Sequence, residues 1–99
     1  MVNNSQIREI IDREDADKFI KKAKRLAADN FNQNAVVGVN PLLPENMYVV
    51  WFAKVLQNWK ALVSSDEVSG FYWEITYDGT KQLAYVDLYS KLHNTVVHD

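Results

Sequence analysis

The strongest periodic pattern in the chain lies in residues 44–65, PENMYVVWFAKVLQNWKALVSS. At the helical repeat of about 100° per residue, eight large apolar side chains of this stretch fall within an arc of about 140°. They are Tyr48, Trp51, Phe52, Val55, Leu56, Trp59, Leu62 and Val63. Pro44 suits a first helical turn, where its missing N–H costs nothing. The pattern predicts an amphipathic core helix over residues 45–64.

A β-hairpin is indicated by residues 71–87, FYWEITYDGTKQLAYVD, in which Asp78–Gly79 separates two β-rich runs. A two-residue turn would pair Tyr77 with Thr80. That register places five apolar side chains together on one face, which we expect to be buried. They are Phe71, Trp73, Ile75, Ala84 and Val86.

Two further helices are expected. Residues 16–30 carry an apolar stripe at helical spacing, formed by Phe19, Ile20, Ala23, Leu26 and Ala27. The stripe of Ile7, Ile10 and Ile11 points in roughly the opposite direction, which predicts a chain break near the acidic residues 12–17. We therefore predict an N-terminal extension over residues 1–15 and a single domain over residues 16–99.

Residues 31–46 contain both prolines and four asparagines, which is typical of a loop. Leu88, Tyr89, Leu92 and Val96 have helical spacing and predict a short C-terminal helix, although a continuing strand fits the same residues. The predicted fold is α+β: a small single domain with two or three helices packed on a two-stranded antiparallel hairpin. An isolated hairpin is only marginally stable, so its apolar face should pack on the tryptophan-rich helix.

Composition is that of an ordinary globular protein, with 99 residues, 47% hydrophobic and 24% charged. There is no cysteine, which excludes disulfides and thiolate-bound metals. No run approaches the roughly 18 apolar residues of a membrane span, and no signal peptide is recognisable. These features favour a cytoplasmic location.

Catalytic motifs are missing from the sequence. There is no glycine-rich phosphate loop, and the serines lack the context of a nucleophile. His93 and His98 do not have the spacing of a metal site. We therefore predict that the chain is not an enzyme and needs no metal or cofactor. An acid–base enzyme built from the carboxylates of residues 66–87 remains a weaker alternative.

The less apolar face of the predicted hairpin is the expected partner surface. A two-residue turn would place Tyr72 beside Tyr85, with Glu74 and Lys81 close by. Tyrosine is enriched at protein interfaces, and this face is available to a partner if no helix covers it. The sequence therefore indicates a protein partner that binds Tyr72, Glu74, Lys81 and Tyr85, and a second copy of the chain is an alternative partner.

Nucleic acid is a second candidate ligand. One short basic island, with five basic residues between positions 18 and 25, interrupts a chain whose net charge is -2. Lys18, Lys21, Lys22 and Arg25 would lie on one helix face and could follow a phosphate backbone. The acidic remainder of the chain opposes general nucleic-acid binding.

Three segments, FIKKAK, YVVWFAKVLQNWKAL and YWEITYDG, resemble a family of small uncharacterised proteins from phages and prophages of Gram-positive bacteria. The resemblance covers about residues 18–95. It implies a small phage protein that acts in the cytoplasm of the host cell. The expected function is binding of a protein partner without catalysis, for example as a host-directed or anti-defence inhibitor. The alternative is an accessory factor of phage replication or recombination that contacts single-stranded nucleic acid.

Overall fold

The computed structural model describes the backbone of residues 4–99 and the side chains of residues 16–99. The described residues form one α-helix, one 3-10 turn and four strands. The elements are α1 (Asn4–Asn34), the 3-10 turn (Pro44–Asn46), β1 (Met47–Val55), β2 (Asn58–Ser65), β3 (Phe71–Asp78) and β4 (Leu83–Ser90). The strands make one antiparallel sheet in the order β1-β2-β3-β4. The prediction of two or three helices on a two-stranded hairpin is therefore wrong.

The predicted core helix over residues 45–64 is instead a hairpin formed by β1 and β2. β-Branched and aromatic residues dominate Tyr48–Phe52, and such side chains pack better on a pleated sheet than on a helix. In β2, burial alternates at every second residue from Trp59 to Ser65. Two more strands also extend the marginal predicted hairpin to a stable four-stranded sheet.

The turn between β1 and β2 has no conventional sequence signal. It consists of Leu56 and Gln57, and Leu56 adopts a φ of 56°. Glycine, asparagine or aspartate usually occupies such a left-handed position. Since none of these residues is present at the turn, residues 44–65 look like one continuous element in the sequence.

The hairpin of β3 and β4 is confirmed, but its predicted register is wrong. A four-residue loop, Gly79–Gln82, replaces the two-residue turn, so Asp78 pairs with Leu83 and Ile75 with Val86. The carboxylate of Asp78 accepts hydrogen bonds from the backbone N–H groups of Thr80 and Lys81, at 3.0 and 3.1 Å. This side-chain cap stabilises the wider loop.

Helix α1 is continuous from Asn4 to Asn34, so the predicted break near residues 12–17 is wrong. Its predicted packing stripe is confirmed, because Ala23 and Ala27 are fully buried while Phe19 and Leu26 pack against the core. The small alanines allow the helix to approach the sheet closely. The side chains of Ile7, Ile10 and Ile11 lie outside the described residues, and the division into an extension and a domain stays a prediction.

The predicted loop and the predicted C-terminal helix have different outcomes. Only residues 35–43 of the predicted loop are irregular, since residues 31–34 belong to α1 and residues 44–46 to the 3-10 turn. This loop is held to α1 because the Asn32 amide both donates to and accepts from the backbone of Leu42 at 2.8 Å. The C-terminal helix is wrong: β4 continues through Tyr89 to Ser90, and no regular secondary structure follows in residues 91–99.

The core lies between α1 and one face of the sheet. Trp59 and Trp73, 2% and 0% exposed, are its largest side chains. Trp59 stacks against Phe19 of α1 and Tyr77 of β3, with ring centroids 5.5 and 5.4 Å apart. Trp73 donates a hydrogen bond from Nε1 to Oδ1 of Asn30 at 3.1 Å. These contacts fix one sheet face against the helix and leave the other face free for partners.

Candidate partner-binding face

The sheet face opposite α1 carries four rows of side chains that run across the strands. The observed register aligns them as Tyr48, Ser64, Tyr72 and Tyr89; Trp51, Leu62, Glu74 and Asp87; Ala53, Lys60, Thr76 and Tyr85; and Val55, Asn58, Asp78 and Leu83. We call this the open face, because no described helix packs against it. Antiparallel sheets commonly leave such a face to solvent, but then its residues are mostly polar.

Five aromatic side chains stand on the open face, each between 39% and 51% exposed. We call this set the aromatic surface: Tyr48, Trp51, Tyr72, Tyr85 and Tyr89. Aromatic side chains of this size bury large areas when a partner covers them, and tyrosine and tryptophan dominate the energetics of interfaces. A concentration of them on one exposed face marks it as the candidate interaction site.

The first row contains a preformed aromatic pair. The rings of Tyr72 and Tyr89 lie 5.2 Å apart at an interplanar angle of 12°, which is a stacked arrangement. The two residues are directly opposite each other on β3 and β4. Each ring restricts the other, so a partner would find this contact area already ordered.

One ion pair occupies the centre of the open face. Nζ of Lys60 lies 2.9 Å from Oε1 of Glu74, across neighbouring strands. The hydrogen bond and charge of Glu74 raise the pKa of Lys60 above its usual 10.5, and Tyr89 and Asp87 add smaller contributions. The interaction of charged Lys60 with Glu74 therefore stabilises the fold fully below pH 10.5. This stabilisation is lost only as the pH rises through the higher pKa that Lys60 has in the folded protein. Lys60 therefore remains charged at neutral pH.

A shallow depression of about 300 Å³ lies at the end of the open face nearest the two hairpin turns. Ala53 and Thr76, two small residues of the third row, line it. Val55, Lys60 and Tyr85 line it as well. The depression is thus continuous with the aromatic surface.

The partner residues predicted from the sequence are only partly brought together. Tyr72, Glu74 and Tyr85 lie on the open face. Tyr72 pairs with Tyr89 rather than with Tyr85, because the longer loop that starts one residue later shifts the register by four residues. Lys81 belongs to the loop and does not lie on a strand, so the structure separates it from the sheet face.

Three of the five members of the aromatic surface were not predicted to be exposed. Tyr48 and Trp51 were assigned to the buried face of a helix, and Tyr89 to a C-terminal helix. A period of two would have placed all three on strands but Tyr48 and Trp51 on opposite faces, since they are three residues apart. The register shift between Val49 and Trp51 brings both onto the open face. For Tyr89, the continuing strand is the alternative that proved right.

The basic island lies on the other side of the sheet. Lys18, Lys21 and Arg25 are exposed on α1, whereas Nζ of Lys22 sits 4.5 Å from the ring centroid of Tyr77. Tyr77 faces the helix, since it stacks on Trp59. A single strand of nucleic acid could not contact the basic island and the Tyr72 ring at once without passing around the edge of the sheet.

Neither a cluster of metal-ligating side chains nor a membrane-spanning helix is present in the part of the chain that the structure describes. There, no three histidine, cysteine, aspartate or glutamate side chains come together in a way that could hold a metal ion. Within the same part, no helix has both the length and the apolar character needed to cross a membrane.

Comparison with known families gives a match over most of the chain. Residues 20–99 match the model of a family of unknown function, DUF6275. The chain belongs to this family. The DUF6275 match includes all four strands, and therefore the whole open face, together with residues 20–34 of α1. No curated protein and no solved structure matches the chain.

Proposed function

We propose that this DUF6275 member is a non-catalytic binding protein whose open face docks onto a protein partner. The observation that carries the proposal is the aromatic surface, where five large rings stand partly exposed on one sheet face. Interfaces are enriched in tyrosine and tryptophan at their centres. Covering these rings would remove a large apolar area from water, which is the main source of association free energy.

The charges of the open face favour protein over nucleic acid. Lys60 is its one cation, whereas Glu74, Asp78 and Asp87 supply three carboxylates. Phosphate backbones are bound by clusters of lysine and arginine, and carboxylates repel them. Stacking rings alone, set among carboxylates, do not make a favourable site for a nucleic-acid strand.

The biological setting of the proposal comes from the resemblance to phage and prophage proteins of Gram-positive bacteria. In that setting the protein acts in the host cytoplasm and binds a host or phage protein, for example as a host-directed or anti-defence inhibitor. A rigid sheet with a preformed tyrosine pair suits such a role, because an ordered surface loses little entropy on binding.

The proposal is tested by capture from a lysate of a Gram-positive bacterium with three tagged proteins. They are the wild type, Tyr72→Ala with Tyr89→Ala, and a control with Lys18→Ala and Lys21→Ala on α1. A protein partner should be held by the wild type and the control but lost by the tyrosine variant. Two truncated interface tyrosines should weaken the affinity at least about 30-fold. If the tyrosine variant captured the partner as well as the wild type does, the proposal would be contradicted.

A second candidate function rests on the exposed cations of α1. Lys18, Lys21 and Arg25 occupy two successive turns of one helix face, as a contact with phosphates would require. In the same experiment, this function predicts material that disappears on nuclease treatment and in the lysine variant, while the tyrosine variant retains it. Association with a second copy of the chain would appear as a dimer that the tyrosine variant loses.

A further inference from the structure

We propose that the partner anchors a neutral aromatic side chain in the depression of the open face, an inference that rests on the proposed function. The depression lies beside Tyr85, at the end of the aromatic surface away from the Tyr72 and Tyr89 pair. Its position makes it part of the same docking surface. Binding energy at interfaces concentrates where a large side chain enters a pocket, surrounded by contacts that exclude water.

The volume limits the size of the occupant. At about 300 Å³ the depression lies at the lower end of the range for small-molecule sites. A cofactor or nucleotide would therefore find little enclosure, whereas one large side chain would fill much of the space. A single residue of the partner is accordingly an occupant of the right size.

The lining determines the chemistry of that residue. Ala53, Val55 and Thr76 present methyl groups, and Tyr85 presents a half-exposed ring. A flat apolar side chain can lie on the methyl groups and contact the tyrosine ring in an offset or edge-to-face geometry. Such ring contacts add to the free energy gained from burial alone, so an aromatic residue is favoured over an aliphatic one.

The charges at the edge of the depression favour a neutral occupant. Lys60 is already paired with Glu74 at 2.9 Å. Oδ1 of Asp78 already accepts the N–H groups of Thr80 and Lys81. The two lining charges have opposite signs and each has partners within the protein. A charged side chain would be desolvated here without gaining a counter-ion of its own.

The test uses side-chain mimics and the whole chain labelled with ¹⁵N. N-acetyl-tryptophanamide should shift the backbone amide signals of Ala53, Thr76 and Tyr85 in a saturable manner, with a dissociation constant on the order of 1 mM. N-acetyl-argininamide should produce no saturable shift at these positions. Ala53→Phe, which fills the depression from an exposed strand position, should weaken binding of the tryptophan mimic at least about tenfold. Lys21→Ala, at an exposed position of α1 on the other side of the sheet, is the control and should leave it unchanged.

Failure of this inference can be distinguished from failure of the proposed function. If the amides of the depression do not respond, or respond equally to the arginine mimic, the aromatic anchor is wrong. Partner capture that still depends on Tyr72 and Tyr89 would then leave the docking face in place. If the tryptophan mimic binds as expected but the tyrosine variant captures the partner as well as the wild type does, the depression accepts an aromatic group. The proposed docking surface is then wrong.

Discussion

Replacing Trp59 by alanine is expected to lower the free energy of unfolding by about 3–5 kcal/mol. Trp59 is buried, and its ring contacts three others from three different elements: Phe19 of α1, Phe52 of β1 and Tyr77 of β3. Its removal would leave a cavity at the point where the helix and three strands meet. Since small domains are stable by about 5–15 kcal/mol, Trp59→Ala would remove a large share of the total.

Urea denaturation followed by circular dichroism measures the free energy of unfolding of Trp59→Ala. The variants Trp59→Phe and Trp73→Phe test the contribution of each indole N–H. The indole Nε1 of Trp59 has no hydrogen-bond partner among the described residues, whereas that of Trp73 donates to Asn30. Trp73→Phe should therefore cost about 1 kcal/mol more than Trp59→Phe. A loss below about 1 kcal/mol for Trp59→Ala would show that Trp59 is not at the centre of the core.

Gly79→Ala is expected to destabilise the sheet by about 1–3 kcal/mol, because the added methyl group has no room. A Cβ atom at Gly79 would lie 2.6 Å from Cβ of Gln57 and would overlap the backbone carbonyl of the same residue. The N–H of Gly79 also donates to Oδ1 of Asn58 at 2.9 Å, and this hydrogen bond would be strained. The substitution would thus separate the tips of the two hairpins.

The neighbouring Thr80 provides the control for Gly79. Its side chain is exposed, and only its backbone N–H makes a hydrogen bond, so Thr80→Ala should change stability by less than about 0.5 kcal/mol. The melting temperatures of both variants give the comparison. Equal stability of the two variants would mean that the hairpin tips are not in close contact.

The β3 and β4 hairpin shows how much the sequence could predict. Its buried face was predicted correctly although the turn was two residues too short. The observed loop is two residues longer and begins one residue later, so each β3 residue pairs four positions further along β4. An even shift keeps every side chain on its face. Ile75 therefore stays buried and Tyr72 stays exposed, but Tyr72 gains Tyr89 as its neighbour instead of Tyr85.

Residues 44–65 show why the rest could not be predicted. The apolar residues there are so dense that they satisfy a helical stripe and a strand alternation together. The turn at Leu56 and Gln57 contains no residue that normally takes a positive φ. No typical turn residue therefore marks the boundary between β1 and β2 in the sequence. Tyr48 and Trp51 were consequently placed in the core, and the size of the aromatic surface could not be recognised without the strand register.

The central claim, that the open face is the docking surface, is tested most directly by hydroxyl-radical footprinting of the chain alone and with its captured partner. Exposed aromatic side chains react readily, so each ring reports on its own coverage. The account predicts that oxidation of Trp51, Tyr85 and Tyr89 falls several-fold in the complex, while that of the exposed Leu92 is unchanged. Unchanged oxidation of these three rings, with protection appearing on α1 instead, would contradict it.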